Sequence, residues 1–414
     1  MKTVFISVLS VLTAFLLASC AGGEEKEEPG SSVNADIHEG DSEGVVSANN
    51  ELGFRLFNEI EEEENANIFI SPTSLSMALS MIYNGAEGKT KEEIATVLQA
   101  ENIDLETWNE EKAALFSALQ RETAQTQLHI ANSIWLQDQY RFQQEFAQNT
   151  SDYYAAQQEE INFQSGDAAR RINDWVAATT NEKITDMVEE PLNPDLVAIL
   201  INAIYFKGQW KHEFDNKQTE DGLFHLHDGT TKDTPLMMLQ ADLEYFENKD
   251  FQAAVLPYGD EEFMSMRVFL PKENSSLEAL KQKLTNETWR DWQSQFQERK
   301  GTILLPKFEL EFEVVLNDTL KKLGMESAFS RSGADFSTMI EEDDPLWIDQ
   351  VKQKTFIEVN EEGTEAAAAT SIEMETTAAP VDEPFHMEVN RPFFFTITDD
   401  ETGTILFMGQ ITDP

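Results

Sequence analysis

A chain of 414 residues with 41% hydrophobic residues and 27 phenylalanines has ample material for one large core, and nothing between Ala48 and Pro414 divides it into separately composed halves. Its 77 acidic and 30 basic residues leave a formal net charge of −47, which excludes nucleic acid as a partner because a polyanion would be repelled. The same excess destabilises a compact state through self-repulsion unless salt screens it, which points to a saline habitat.

Lys2 precedes an apolar run from Val4 to Leu17, too short for a stable bilayer span, that ends in Leu17-Ala18-Ser19-Cys20. Residues 1–19 resemble a bacterial lipoprotein signal peptide. The resemblance implies cleavage before Cys20, lipidation of that residue, and a protein exported and anchored to the cell envelope at the outer membrane or cell surface. Cys20 is the only cysteine, so no disulfide is available to the rest of the chain. An ordinary secretory signal is the alternative, and it too takes the chain out of the cytoplasm. Residues 20–47 are rich in Gly, Glu, Ser and Asp and bury too little to fold. They read as a flexible acidic tether with a reach of roughly 30 Å. Its cluster Glu24, Glu25, Glu27 and Glu28 resembles a surface-export signal, although short charge runs are usually solvated linker.

In the body, 48–414, Leu52, Leu56 and Ile60 recur at helical spacing. Asn67 to Ile70 reads as a short strand, and Ser71-Pro72 as a capped helix start carrying Leu75, Ala78, Leu79 and Ile82 as far as Asn84-Gly85. Thr90 and Glu93 have the spacing of a capping box for the next helix. Trp175 to Val188 is expected to be helical. Leu196 to Phe206 is apolar apart from Asn202 and reads as a buried central strand. Strand-like runs follow at Met264–Leu270, Thr302–Leu305, Phe308–Val314, Phe356–Val359, Phe393–Thr398 and Thr404–Met408. Helices concentrate in the first half and strands in the second, an α+β pattern.

One segment stands apart. From Gly363 the chain reads Thr364, Glu365, Ala366, Ala367, Ala368, Ala369, Thr370 and Ser371, and no proline occurs before Pro380. At period two, Thr364, Ala366, Ala368, Thr370, Ile372, Met374 and Thr376 share a small or apolar face, while Glu365, Ser371, Glu373 and Glu375 lie on the other. By propensity the alanines suggest helix or linker. Every residue up to Ala379 could nevertheless donate to a sheet, and Gly363 supplies a hinge.

This hinge resembles that of the serpins. Asn67 to Met81, Asn202 to Trp210, Leu305 to Leu310, Leu323-Gly324-Met325 and Asn390 to Phe395 are also similar to serpin segments, in the family's order. The resemblance implies helices packed around three β-sheets with an exposed reactive loop, in a single monomeric domain. It assigns Gly363, Thr364, Glu365, Ala366, Ala367, Ala368 and Ala369 to the hinge. Trp210, Lys307 and Glu361 fall in the breach where the loop enters, with Lys307 and Glu361 expected to pair. Ser71, Ser74 and Asn202 fall in the shutter beneath the main sheet, joined by Gln353 where many serpins carry histidine. Glutamine keeps neutral hydrogen bonds but does not titrate near neutrality.

The activity implied is suicide-substrate inhibition of extracellular serine proteases. Counted from Thr364 as the family does, the scissile bond is Thr377-Ala378, with Met374-Glu375 and Glu375-Thr376 as alternatives. No Lys or Arg lies between Thr364 and Asn390, so a trypsin-like pocket has nothing to bind. Thr377 and Ala378 suit the shallow pocket of an elastase- or subtilisin-type enzyme, and a papain-like cysteine protease is a further option. Other chemistries find little support. His225 and His227, with Asp228 and Asp233 nearby, lack further ligands at metal spacing, and no Gly-x-Ser-x-Gly elbow is present. Neither metal, cofactor nor catalytic residue is expected. A hydrolase would need a nucleophile motif, and a non-inhibitory binding protein or chaperone would be expected to carry bulky or charged residues on the inward face of the hinge.

Overall fold

The computed structural model describes residues 43–60, 66–193, 195–364 and 383–414. Its first half runs α1 (Glu43–Glu59), β1 (Ile68–Ile70), α2 (Pro72–Tyr83), α3 (Gly88–Leu98), α4 (Leu105–Leu119), β2 (Thr126–Gln137), α5 (Gln144–Tyr154), β3 (Gln157–Ile161), α6 (Ala168–Thr179) and β4 (Ala198–Gln209). There follow β5 (Glu220–His225), β6 (Thr231–Glu247), β7 (Phe251–Tyr258), β8 (Met264–Pro271), α7 (Leu277–Lys281), α8 (Asn286–Gln293), β9 (Gln297–Pro306), β10 (Phe308–Val315) and α9 (Asn317–Lys322). The chain closes with β11 (Gln350–Val359), β12 (Gly363–Thr364), β13 (Phe385–Glu388), β14 (Phe393–Asp399) and β15 (Thr404–Ile411).

These strands form a six-stranded sheet in the order β10-β11-β12-β4-β2-β3 and a nine-stranded array in which β6 joins β5, β7 and β9. Two of the three implied sheets are therefore continuous through β6. Its 17 residues pair first with β5 and β9 and then, from Tyr245 to Glu247, with β7.

The apolar continuity of β4 has a direct cause. Ala198, Leu200, Ile204 and Phe206 face the main core, while Ile199, Ile201 and Ala203 face a second cluster built on Ala168, Ala169, Ile172 and Val176 of α6. Burial on both faces removes the alternation a half-exposed strand would show. On the core side lies α2, whose twelve residues are all buried. Ser71 caps it with its hydroxyl on Ser74 N, and Pro72 takes the first helical position.

Three local expectations fail for identifiable reasons. Helix α1 begins at Glu43, five residues before Ala48, because Val45 and Val46 are buried and extend it into the segment read as tether. Thr90 and Glu93 do not form a capping box. The Thr90 hydroxyl accepts from Asp335 N and the Glu93 carboxylate from Ser327 N, so both tie α3 to the 327–335 segment. The helix expected at Trp175–Val188 instead spans Ala168–Thr179. Thr180 bonds back to Val176 O at 2.8 Å, Asn181 and Glu182 turn to positive φ, and Ile184, Met187 and Val188 pack as covering loop.

Candidate functional site: the seam of the six-stranded sheet

β4 and β11 run parallel and bond directly along Gln350–Lys354 against Ile199–Ala203. Above that contact they diverge, and β12 occupies the gap. Gly363 and Thr364 pair antiparallel with Gln209 and Gly208 of β4, and Thr364 pairs with Val359 of β11. Two of the residues expected in the hinge are thus already part of the sheet. Thr364, expected to be the first side chain buried as the sheet opens, is only 1% exposed at rest. The reason is a ready partner, since its hydroxyl lies 2.7 Å from the hydroxyl of Tyr258. Gly363 is required at its position because a Cβ there would sit 2.1 Å from Gly208 O, at φ +157°.

Around this gap the Trp210 indole N–H donates to Asn360 O at 2.9 Å, and the Trp210 backbone N–H to Glu362 O at 3.0 Å. Its ring stacks on Tyr258 with centroids 4.6 Å apart. Lys307 Nζ lies 2.7 Å from Glu361, whose other carboxylate oxygen accepts from the Thr219 hydroxyl. Burial pushes the Glu361 carboxyl up, but the bonds from Lys307 and Thr219 outweigh it and hold the group below the ordinary range. Trp210, Lys307 and Glu361 therefore meet around one turn, Asn360 to Gly363. A cavity of about 440 Å³ opens beside it, lined by Lys307, Glu309, Glu358 and Glu361 among others.

Lower in the seam, Ser71, Ser74, Asn202 and Gln353 share one hydrogen-bond network. Gln353 accepts from Ser71 N at 3.0 Å and donates to Ser71 O at 2.9 Å and Asn202 Oδ1 at 3.2 Å. Asn202 donates to Ser74 O and to Asn132 Oδ1. Glutamine uses both ends of its amide here, so strands β4 and β11 are stitched together and to α2 without a titrating group. Ser74 Oγ and Asn132 Nδ2 are buried without partners among the described residues, so these residues leave the network incompletely satisfied in this arrangement.

Several sites named from the sequence, Cys20, Glu365, Ala366, Ala367, Ala368, Ala369, Thr377 and Ala378, lie outside the described residues. His225 is exposed and its backbone N–H donates to Asn390 O. Among the described residues no three His, Cys, Asp or Glu side chains gather as a metal set. Sequence reading missed Tyr258, Asn132, Asn360 and Thr219. Tyr258, the last residue of β7, finds Thr364 across 106 residues of chain, a pairing no local pattern shows.

The family model described as Serpin (serine protease inhibitor) matches residues 47–414. The chain belongs to the serpin family. An uncharacterised serpin-like protein of Thermococcus kodakarensis is 37% identical over 382 residues, covering 91% of this chain and 88% of that one. The native state of the thermophilic serpin tengpin superposes with a TM-score of 0.83 at 30% identity, covering 92% and 96% of the two chains. Human thyroxine-binding globulin complexed with thyroxine also superposes at 0.83, with 26% identity and coverage of 90% and 99%. The α+β architecture is that of a serpin.

Proposed function

We propose that this serpin is a suicide-substrate inhibitor of extracellular serine proteases of elastase or subtilisin type. The observation that carries the reading is β12, a two-residue strand seated antiparallel to both β4 and β11 above the point where those strands meet. Continued one residue at a time, its register brings Ala366 opposite Phe206, Thr370 opposite both Asn202 and Gln353, and Met374 opposite Ala198. Asn202 and Gln353 are already partners of each other, so the two new ladders run in one frame. The small face of the segment then meets the core and its Glu-bearing face meets the α6 side.

In the proposed mechanism, the protease serine attacks the Thr377 carbonyl. The Thr377-Ala378 bond breaks, the new amine at Ala378 leaves with the proton passed on by the protease histidine, and Thr377 remains as an ester on the enzyme. Insertion of the freed segment between β4 and β11 drags the acyl-enzyme with it and distorts the site before water can deacylate it. A cysteine protease would form the corresponding thioester. Cys20 as a lipid anchor and residues 20–42 as tether would place the inhibitor at the cell envelope.

A non-inhibitory binding role is the second reading, favoured by the fold likeness to thyroxine-binding globulin. The seated Thr364 and the small residues after it support insertion instead. The test is incubation of the purified chain with a subtilisin-type protease and with pancreatic elastase, followed by denaturing electrophoresis. An SDS-stable complex, and a cut at Thr377-Ala378 by mass spectrometry, is the expected result. Cleavage with full release of active protease refutes inhibition.

A further inference from the structure

Tyr258 ends β7, and its ring is 1% exposed. Trp210 stacks on one side at 4.6 Å and 13°, and Phe206 packs edge-on at 5.0 Å and 69°. Gly208 makes room for it, since a Cβ there would lie 2.6 Å from the tyrosine ring. The phenol is therefore fixed, pointing across β4 into the gap that β12 fills. Its hydroxyl has one hydrogen-bond partner among the described residues, the Thr364 hydroxyl at 2.7 Å, and Thr364 Oγ1 has no other.

We propose that Tyr258 is a positioning residue that latches the hinge in its seated state before any protease acts, by holding the first side chain of the new strand through this hydroxyl pair. The backbone of β12 is too short to hold itself, with only Gly363 and Thr364 in register and the Gly363 N–H on the Asn360 side chain at 3.3 Å. If Thr364 lifted out, the Tyr258 hydroxyl would stay buried with nothing to bond, and that asymmetry favours the seated hinge. Burial already pushes the phenol far above its ordinary range, so it stays a neutral hydroxyl, able to donate to or accept from Thr364, throughout the working pH range. The aromatic pair thus anchors both sides of the turn, Trp210 on Asn360 and Glu362, and Tyr258 on Thr364.

The consequence for inhibition rests on the proposed function: insertion begins from a strand already started, which shortens the race against deacylation. Tyr258→Phe removes the hydroxyl and little else, and Thr364→Val removes the other. In the full chain, hydrogen exchange of peptides covering Asn360 to Thr364 reads the hinge without any protease. Each variant should raise exchange of the Gly363 and Thr364 amides by about tenfold, the loss of one buried hydrogen bond. The double variant should be no faster than either single one. With subtilisin, inhibitor consumed per protease inactivated should rise several-fold with the cut site unchanged.

Wild-type exchange rates in both single variants, or effects that simply add in the double variant, overturn the latch. If the wild-type chain forms no protease complex, the inhibitory reading fails while the exchange comparison still decides the latch. Should Tyr258→Phe fold poorly, Thr364→Val decides alone.

Discussion

On the proposed mechanism one cut, at Thr377-Ala378, frees the strand that β12 begins, with a gain set by the resting sheet. Residues 365–374 would lie between β4, which starts at Ala198, and β11, which starts at Gln350. Ten residues in a central strand make about twenty ladder bonds and displace about five between β4 and β11, a gain of about 15 kcal/mol at about 1 kcal/mol each. Burying Ile372 and Met374 adds about 4 kcal/mol. Fixing ten backbones costs about 10 to 20 kcal/mol, at about 1 to 2 kcal/mol each. At the middle of that range the balance favours insertion by about 4 kcal/mol, close to the lower end of the stability of an ordinary domain, about 5 to 15 kcal/mol.

For a body of this size each kcal/mol corresponds to roughly 1 to 2 °C at the midpoint. The cleaved chain should therefore melt about 4 to 8 °C above the intact one. The assay is calorimetry or circular dichroism on the intact chain and on chain nicked by a catalytic amount of subtilisin, with the nick verified by mass spectrometry. A nicked form melting with the intact one would mean that the segment does not enter the β4–β11 seam, and the register argument would fall with it.

Further outcomes follow from single residues. Thr377→Arg should create inhibition of trypsin-like enzymes and weaken that of elastase-like ones; a wild-type chain that already forms covalent complexes with trypsin contradicts the placement of the scissile bond. Thr364→Arg removes the bond to Tyr258 and brings a charge to a buried position at a cost of several kcal/mol, so the variant should be cut at the same bond yet release active protease, and an unchanged ratio of inhibitor consumed to protease inactivated counts against insertion from this residue. Lys112 of α4 is 1% exposed, with its ammonium on the Ser76 hydroxyl at 2.6 Å and over the Trp108 ring, and burial lowers it to about 7. Its folded value is below its unfolded one, so the penalty is complete below pH 7, shrinks as pH rises towards 10.5 and is then gone. Lys112→Met should accordingly stabilise the fold by about 4 kcal/mol near pH 7 and by far less near pH 10, and a gain independent of pH in thermal melts would show that Lys112 is not buried as a strained cation.

What the sequence disclosed about this site, and what it concealed, divides along the range of the forces involved. Ser71-Pro72 is legible as a helix start because a cap is a contact over three residues. β4 is legible because burial on both faces leaves a continuous apolar run that no other element of that length explains. α6 was misplaced because its stop is written in Thr180 bonding back to Val176 and in two residues at positive φ, while the apolar residues beyond it keep a misleading periodicity as they cover the sheet. The seated hinge was out of reach altogether. Alternation from Thr364 shows that a strand can form, yet it says nothing of where the strand begins at rest. That is set by Gly208, which leaves space for a ring, and by Tyr258, which supplies one hydroxyl from the end of β7. A local pattern encodes what the segment is able to become; the remote partner sets how much of it is strand at rest.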